Sequence, residues 1–475
     1  MLACATKHLR RNGTAHAQAL HLVQSRRRQL LTLAIETSCD DTSVAVLEKR
    51  DNVSPLGHTY TFPSTCALHF HEKITANNSD YGGVHPIKSL ESHQENLALL
   101  INRAISALPN APNSNGDNPS DPSRTLTLYP PYQTPIHKLK PDFISVTRGP
   151  GMRSSLATGL DTAKGLSTAW QIPLLAVNHM QAHALTPRLV SALTSPPPLN
   201  PPFPFLTLLI SGGHTLLLHS KSLTSHPLLA TTTDIALGDC IDKIARHLLP
   251  PPLLSTTKGT MYGPLLERFA FPTSPPEYNY TAPTTRAQEI ARITSERWGW
   301  SLVPPLAETR SGSKSRSMEF TFSGLESAVK RICEWKGKEM GEEERRELAR
   351  ESMRLAFEHL ASRVGWALNN LEEKAEGVKT LVVSGGVASN GFLRHILHAF
   401  LTARGYPHLN LIFPPVDLCT DNAAMIAWTG MEMWEAGWES ELSIRGLRKW
   451  SLDSENESGS GEGGILGVGG WKKRS

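Results

Sequence analysis

The stretches LTLAIETSCDDTSVAVL (31–47) and FLTLLISGGHTLLLH (205–219) decide the fold. In the first, an apolar run at 31–35 meets a polar turn at 36–42, and a second apolar run follows at 43–47. In the second, the runs 205–210 and 215–219 flank Ser211, Gly212, Gly213 and His214. Short apolar runs bounded by turn residues read as buried strands. One such unit is only a hairpin. The same unit twice, on either side of a Pro-rich linker at 195–204, indicates a duplicated α/β architecture. Its two halves would open on turns that face a common cleft.

Working outward, the strand 143–147 runs into Gly149-Pro150-Gly151, and a helical pattern continues to about Trp170. The strand 175–177 leads into Asn178 and His179. In the second half, Met353, Phe357, Leu360, Val364 and Leu368 mark an amphipathic helix from Glu342 to about Asn370. The strand 381–383 enters Ser384-Gly385-Gly386, and a strand near 411–413 precedes Cys419-Thr420-Asp421-Asn422. The expected layout is a first lobe at 31–194 with a surface insertion at 110–140, rich in Pro, Asn and Ser. A second lobe at 205–430 carries an insertion at 271–317. A C-terminal helix at 431–452 packs back on the first lobe, and a disordered tail occupies 453–475.

Hydrophobic residues make up 39% of the 475 and charged ones 19%, as in a soluble enzyme of two to three domains. No run of about 18 apolar residues could span a membrane. The net charge of +4 is misleading. Lys7, Arg10, Arg11, Arg26, Arg27 and Arg28 lie in an opening segment without a single Asp or Glu. Removing these six from 48 leaves 42 basic against 44 acidic residues, a net of −2. Residues 1–30 therefore read as a mitochondrial transit peptide, with a disordered tail or an overlong start as the bland alternative. The body has no strong footprint for nucleic acid, so such a site must be a local patch. Six scattered cysteines without a CxxC pair fit a reducing compartment.

Four polar segments stand directly after strands, where open α/β sheets bind ligands. The first turn holds Asp40 and Asp41; such residues also favour turns for their own sake. Ser211-Gly212-Gly213-His214-Thr215 offers glycines and hydroxyls that can approach an anion. Ser384–Asn390 puts a Gly pair at a strand-to-helix turn, where Asn390 either binds ligand or caps the helix. Finally, His179 and His183 lie four residues apart on one helical face, close enough to share an ion. With Asp421 they would form a His-His-Asp set suited to iron, zinc or manganese. Spacing alone cannot show that the three converge.

Taken in order, these segments resemble the tRNA adenosine threonylcarbamoyltransferase family of the actin/Hsp70/sugar-kinase superfamily. The matching stretches are IETSCDDTSVAV (35–46), YGGVHP (81–86), TRGPGMRSSLATGL (147–160), NHMQAH (178–183), LISGGHT (209–215), GDCIDKIAR (238–246), FTFSGL (320–325), SGGVASN (384–390) and CTDNAAMIA (419–427). The resemblance implies an actin-like two-lobe fold with a nucleotide cleft between the lobes. It implies transfer of the threonylcarbamoyl group of threonylcarbamoyl-AMP to the N6 amine of adenosine 37 of tRNA. It also implies one divalent metal ion per subunit on His179, His183 and Asp421, iron or zinc, with manganese or magnesium as alternatives. Ser211, Gly212, Gly213, His214, Thr215, Asp242, Gly263, Glu267 and Asn390 match substrate-binding positions, and Asp40 and Asp41 match the acidic pair that positions the reacting groups. Implied partners are tRNA, a threonylcarbamoyl-AMP synthase that supplies the donor, and a second copy of the chain; no membrane is involved. The chain departs from the family's Tyr-Pro-Gly-Gly-Pro, which reads Thr260-Met261-Tyr262-Gly263-Pro264 here.

Three other readings compete. A sugar kinase or ATPase of the same superfamily would share the cleft but lacks the His pair and Asp421. A zincin peptidase needs Glu where this chain has Met180. A non-catalytic nucleotide-gated binder would have no use for the three metal ligands.

Overall fold

The computed structural model describes residues 28–52, 62–78, 81, 83–112, 121–131, 134–194, 198–257, 261–307, 316–373, 377–453 and 464–474. The leader expected at 1–30 lies outside the described residues except for its last three. Those three open the first strand, β1 (Arg28–Glu36), which pairs antiparallel with β2 (Asp41–Asn52). The turn between them shrinks to four residues, 37–40, because Glu36 and Asp41 already have strand geometry. A long strand that the sequence pattern did not show, β3 (Phe62–Thr75), pairs antiparallel with β2.

Helix α1 (Pro86–Ser106) follows, and the 110–140 insertion contributes a hairpin, β4 (Thr125–Leu128) with β5 (Ile136–Leu139). Then β6 (Phe143–Gly149) lies parallel to β1, and helix α2 (Arg153–Trp170) carries the chain to β7 (Leu174–Asn178), parallel to β6. Helix α3 (His179–Thr194) closes the first half. The strand order is β3-β2-β1-β6-β7.

The second half repeats this plan. Strands β8 (Phe205–Ile210), β9 (Thr215–Ser220) and β10 (Leu228–Thr232) form an antiparallel meander. Helices α4 (Leu237–Leu248) and α5 (Gly263–Ala270) follow. The 271–317 insertion contains the hairpin β11 (Ile293–Ser295) and β12 (Trp300–Leu302), and β13 (Glu319–Phe320) then extends the sheet beside β10. Phe271, Trp300 and Leu302 are buried in the second-lobe core, so this insertion is partly interior. Helices α6 (Ser323–Lys336) and α7 (Glu342–Glu373) precede β14 (Thr380–Ser384). Helix α8 (Gly391–Ala403), β15 (Asn410–Ile412) and helix α9 (Ala423–Glu435) complete the half. The order β10-β9-β8-β14-β15 matches the first sheet strand for strand. This is the duplicated, actin-like two-lobe α/β fold.

The last helix of each half sits between the sheets. Helix α9 packs on β1, β2 and β6, α3 packs on β8 and β14, and the two helices pack on each other. A single core therefore joins Val177, Val382 and Trp428, with Phe143 stacked on Trp434 at 4.5 Å. Within it Arg188 of α3 donates to both oxygens of Glu432 of α9, at 2.8 and 2.9 Å. Both residues are buried. Glu432→Ala strands the guanidinium charge and is expected to cost about 3–5 kcal/mol, read from urea denaturation.

The C-terminal part departs from expectation. No helix spans 431–452: α9 stops at Glu435 because Gly437 turns at φ 83°, and strand β16 (Trp438–Ser440) follows. The segment still returns to the first lobe, since β16 pairs with β7. Nor is all of 453–475 a disordered tail. Residues 454–463 lie outside the described residues, but β17 (Trp471–Lys473) pairs with β16. Indole N–H groups of Trp450 and Trp471 bond the Gly464 and Ile465 carbonyls, and this aromatic anchoring overrides the Gly-rich composition.

Candidate metal centre and substrate cleft

His179 is the first residue of α3, and Asp421 stands two residues before α9. Because those helices pack side by side, their N-terminal ends meet. Asn178 Oδ1 accepts from the Met180 and Gln181 N–H groups, and Asn422 Oδ1 accepts from Met425 N–H. These caps fix where each helix starts and hence where each ligand points.

The three atoms converge. His183 Nε2 lies 3.2 Å from His179 Nε2 and 3.1 Å from Asp421 Oδ1, and His179 Nε2 lies 3.3 Å from Asp421 Oδ1. Ligands at metal–nitrogen distances of about 2.0–2.1 Å in tetrahedral array stand about 3.3 Å apart, which matches this triangle. The donor chemistry fits as well. His179 Nδ1 faces the buried Glu36 carboxylate at 3.1 Å and the Ser38 hydroxyl at 3.3 Å. In the tautomer that donates Nδ1–H to Glu36, Nε2 turns a lone pair toward the point shared with His183 Nε2 and Asp421 Oδ1, a donor set suited to a divalent cation.

The surrounding charge points the same way. Burial alone would depress His179, but the Asp421 and Glu36 carboxylates outweigh it and hold the imidazole well above its usual range. Burial likewise opposes ionisation of Asp421, yet His179 keeps its carboxyl well below the usual value. Asp40 and Asp41 are both raised, first by burial and also by the charge of Asp421. A centre so rich in carboxylate favours a bound cation. Glu36→Gln removes the carboxylate behind His179 and is expected to weaken metal binding about 10–100-fold, measured by equilibrium dialysis.

The acidic pair of the first turn divides its duties. Asp41 forms an ion pair with Lys73 at 3.1 Å, accepts a short bond from Thr75, and is pushed up to about 6 by burial. Lys73 also donates to Thr420 Oγ1 at 2.8 Å, which ties β3 to the residue beside Asp421. Asp41 therefore braces the loop. Asp40 is half-buried, and Asn78 donates to its Oδ2 at 3.2 Å.

Across the cleft the loop after β8 is folded by its own serine. Ser211 Oγ accepts from Gly213 and His214 N–H, and its backbone N–H bonds the His214 carbonyl. Gly212, Gly213 and His214 are exposed. Desolvation by the surrounding protein, then the charge of His179, lowers the His214 imidazole to about 4. Thr215 is different: its buried hydroxyl accepts from Leu237 N–H at the start of α4, so one of its lone pairs serves the fold.

Gly385 turns at φ 97° where a side chain would overlap the Ile210 carbonyl, so the loop at 384–390 lies against the one after β8. Asn390 Oδ1 accepts from Leu393 N–H at 2.9 Å, so the capping alternative is realised, and the amide nitrogen has no hydrogen bond among the described residues. Asp242 Oδ1 accepts from Tyr262 and Gly263 N–H, and burial raises its carboxyl to about 6. Glu267 accepts from Phe392 N–H and the Tyr278 hydroxyl. These three carboxylate and amide groups hold helix starts in place. Sequence reasoning missed Glu36, Lys73 and Asn178; the strand-end position of Glu36 and the capping position of Asn178 were the available signals.

A family model described as TsaD, tRNA N6-adenosine threonylcarbamoyltransferase, matches residues 133–428, which include His179, His183 and Asp421. The chain belongs to this family. It is 36% identical over 450 residues to the mitochondrial tRNA N6-adenosine threonylcarbamoyltransferase of Schizosaccharomyces pombe, covering 94% of this chain and 89% of that one. It is 32% identical to the enzyme of the same name from Brucella ovis, over 89% and 96% of the two chains. The relative from Zymomonas mobilis is 31% identical over 91% and 94%. The protein is thus a transferase that modifies tRNA, and its described residues bring together a set that can hold a metal ion. No described helix is long and apolar enough to cross a membrane.

Proposed function

We propose that the enzyme transfers the threonylcarbamoyl group of threonylcarbamoyl-AMP to the N6 amine of adenosine 37 in tRNAs that read codons beginning with adenine, and does so in mitochondria. The observation that carries this reading is the triangle of His179, His183 and Asp421 facing the exposed glycine loop at 211–214. The basic, acid-free opening of the chain and the mitochondrial relative support the location.

In the reaction the N6 amine attacks the carbamoyl carbon, the bond to the phosphate oxygen breaks, and AMP leaves. The amine is a poor nucleophile, so orientation and electrostatic help supply most of the acceleration. The Gly212 N–H and the open backbone face of the glycine loop hold the phosphate of the donor and of departing AMP. Asp40, whose other oxygen Asn78 steadies, accepts from the incoming amine and takes its proton as the bond forms. His179, His183 and Asp421 would hold the divalent metal ion, iron or zinc, which when bound would supply Lewis-acid polarisation. A second copy of the chain and a threonylcarbamoyl-AMP synthase complete the expected partnership.

Purified protein given threonylcarbamoyl-AMP and unmodified tRNA should form N6-threonylcarbamoyladenosine and AMP in equal amounts, with and without added partner proteins. Folded, metal-loaded protein that yields neither product in both arms would sink the proposal.

A further inference from the structure

The body of the chain is net acidic, yet one short strap beside the cleft is purely basic. Residues 445–449 read Arg-Gly-Leu-Arg-Lys, and Arg445, Arg448 and Lys449 are exposed. None of the three forms an ion pair with a described residue, and Arg153 at the start of α2 adds a fourth exposed cation. We propose that this strap is a docking surface for the phosphate backbone of the substrate tRNA. The inference rests on the reading of tRNA as substrate.

The strap is held rigidly through its backbone, which leaves the charged ends free. Arg148 Nε donates to the Arg445 carbonyl at 3.1 Å, and Leu447 N–H donates to the Arg148 carbonyl at 2.7 Å. Gly446 packs against Leu156 in the first turn of α2. Ile444 and Trp450 are buried at the two ends, with the Arg148 guanidinium 5.5 Å from the centre of the Trp450 ring. A backbone already fixed in place loses less freedom on binding than a flexible tail does, which favours the ledge.

The ledge also connects to the reaction centre. Gly151 N–H donates to the Arg448 carbonyl, and the next residue, Met152, donates to the Ser38 carbonyl at 2.9 Å. The Ser38 hydroxyl is 3.3 Å from His179 Nδ1. A polyanion lying on the strap therefore passes along the rim of the cleft. Three separate cations outnumber the single phosphate of an adenylate, whose place is the glycine loop of the other lobe. Repeated phosphates in an RNA strand fit the ledge better.

The test compares wild type with the triple variant R445A/R448A/K449A in tRNA binding from 50 to 200 mM salt. The salt slope should shrink by about one per lost cation, and Kd should rise at least about 10-fold. KM for tRNA should rise similarly while kcat at saturating tRNA stays within about twofold. The charge-keeping variant R445K/R448K should restore most of the binding, and Lys449→Glu alone should weaken it if the triple variant folds poorly. Unchanged Kd and slope would overturn the proposal. So would loss of binding to phosphatidylserine vesicles with tRNA binding intact, which marks a membrane surface. Failure of wild type itself to modify tRNA would refute the functional reading instead.

Discussion

His183→Ala should reduce N6-threonylcarbamoyladenosine formation by about 10²–10³-fold, the loss of several kcal/mol of charge stabilisation at the reacting group. The geometry sets that expectation. His183 Nε2 is within 3.1–3.2 Å of both other ligand atoms, so its removal opens one corner of the triangle. Two remaining ligands hold a divalent ion poorly, and metal content measured on the purified variant should fall from one per chain toward none. Asp421→Asn keeps the shape but removes the carboxylate that carries the site's charge, and it should match His183→Ala in activity. Exogenous imidazole can occupy the space left by His183 and should restore part of the transfer. A His183→Ala protein that keeps full activity would show that the triangle is not part of the reaction.

Much of the fold was legible because its central strands are buried on both faces. Runs such as 31–35, 143–147 and 205–210 carry no charged residue, as strands with parallel neighbours require, and their buried hydroxyls pair across the sheet, Thr32 with Ser145 and Thr207 with Ser220. Strand β3 has no readable alternation because it lies at a sheet edge and its second half runs His69-Phe70-His71-Glu72-Lys73, with three consecutive polar residues. The helix expected at 431–452 failed at one backbone angle, that of Gly437. At the site, spacing suggested the pair His179 and His183 and the family resemblance added Asp421 as proposed metal ligands, while their convergence needed the packing of α3 on α9. The side-chain partners were not readable. Thr215, Asp41, Glu267 and Asn390 all look like ligand contacts by chemistry, and all four make bonds to helix starts or to an ion pair. Polar residues near a cleft serve structure and substrate alike, and only geometry tells which atoms are already taken.

Gly385→Ala is expected to cost on the order of 4 kcal/mol, combining a backbone conformation open almost only to glycine with an overlap in a packed region. At φ 97° and ψ 165° the residue leaves β14, and an added Cβ would overlap the Ile210 carbonyl at the end of β8. Relief requires the loops at 209–215 and 384–390 to part. Such a loss is a large share of ordinary protein stability, so thermal unfolding should drop by several degrees and soluble yield should fall. Gly212→Ala and Gly213→Ala make the contrast, because a Cβ at either position meets nothing within 4 Å. Those two variants should melt like wild type, so any rise in KM for threonylcarbamoyl-AMP reports lost approach of the donor to the backbone N–H groups. If Gly212→Ala and Gly213→Ala both kept wild-type KM, the loop after β8 would not hold the donor, whatever the stability of Gly385→Ala. Measured together, the three substitutions separate the glycine that the fold requires from the glycines that the ligand requires.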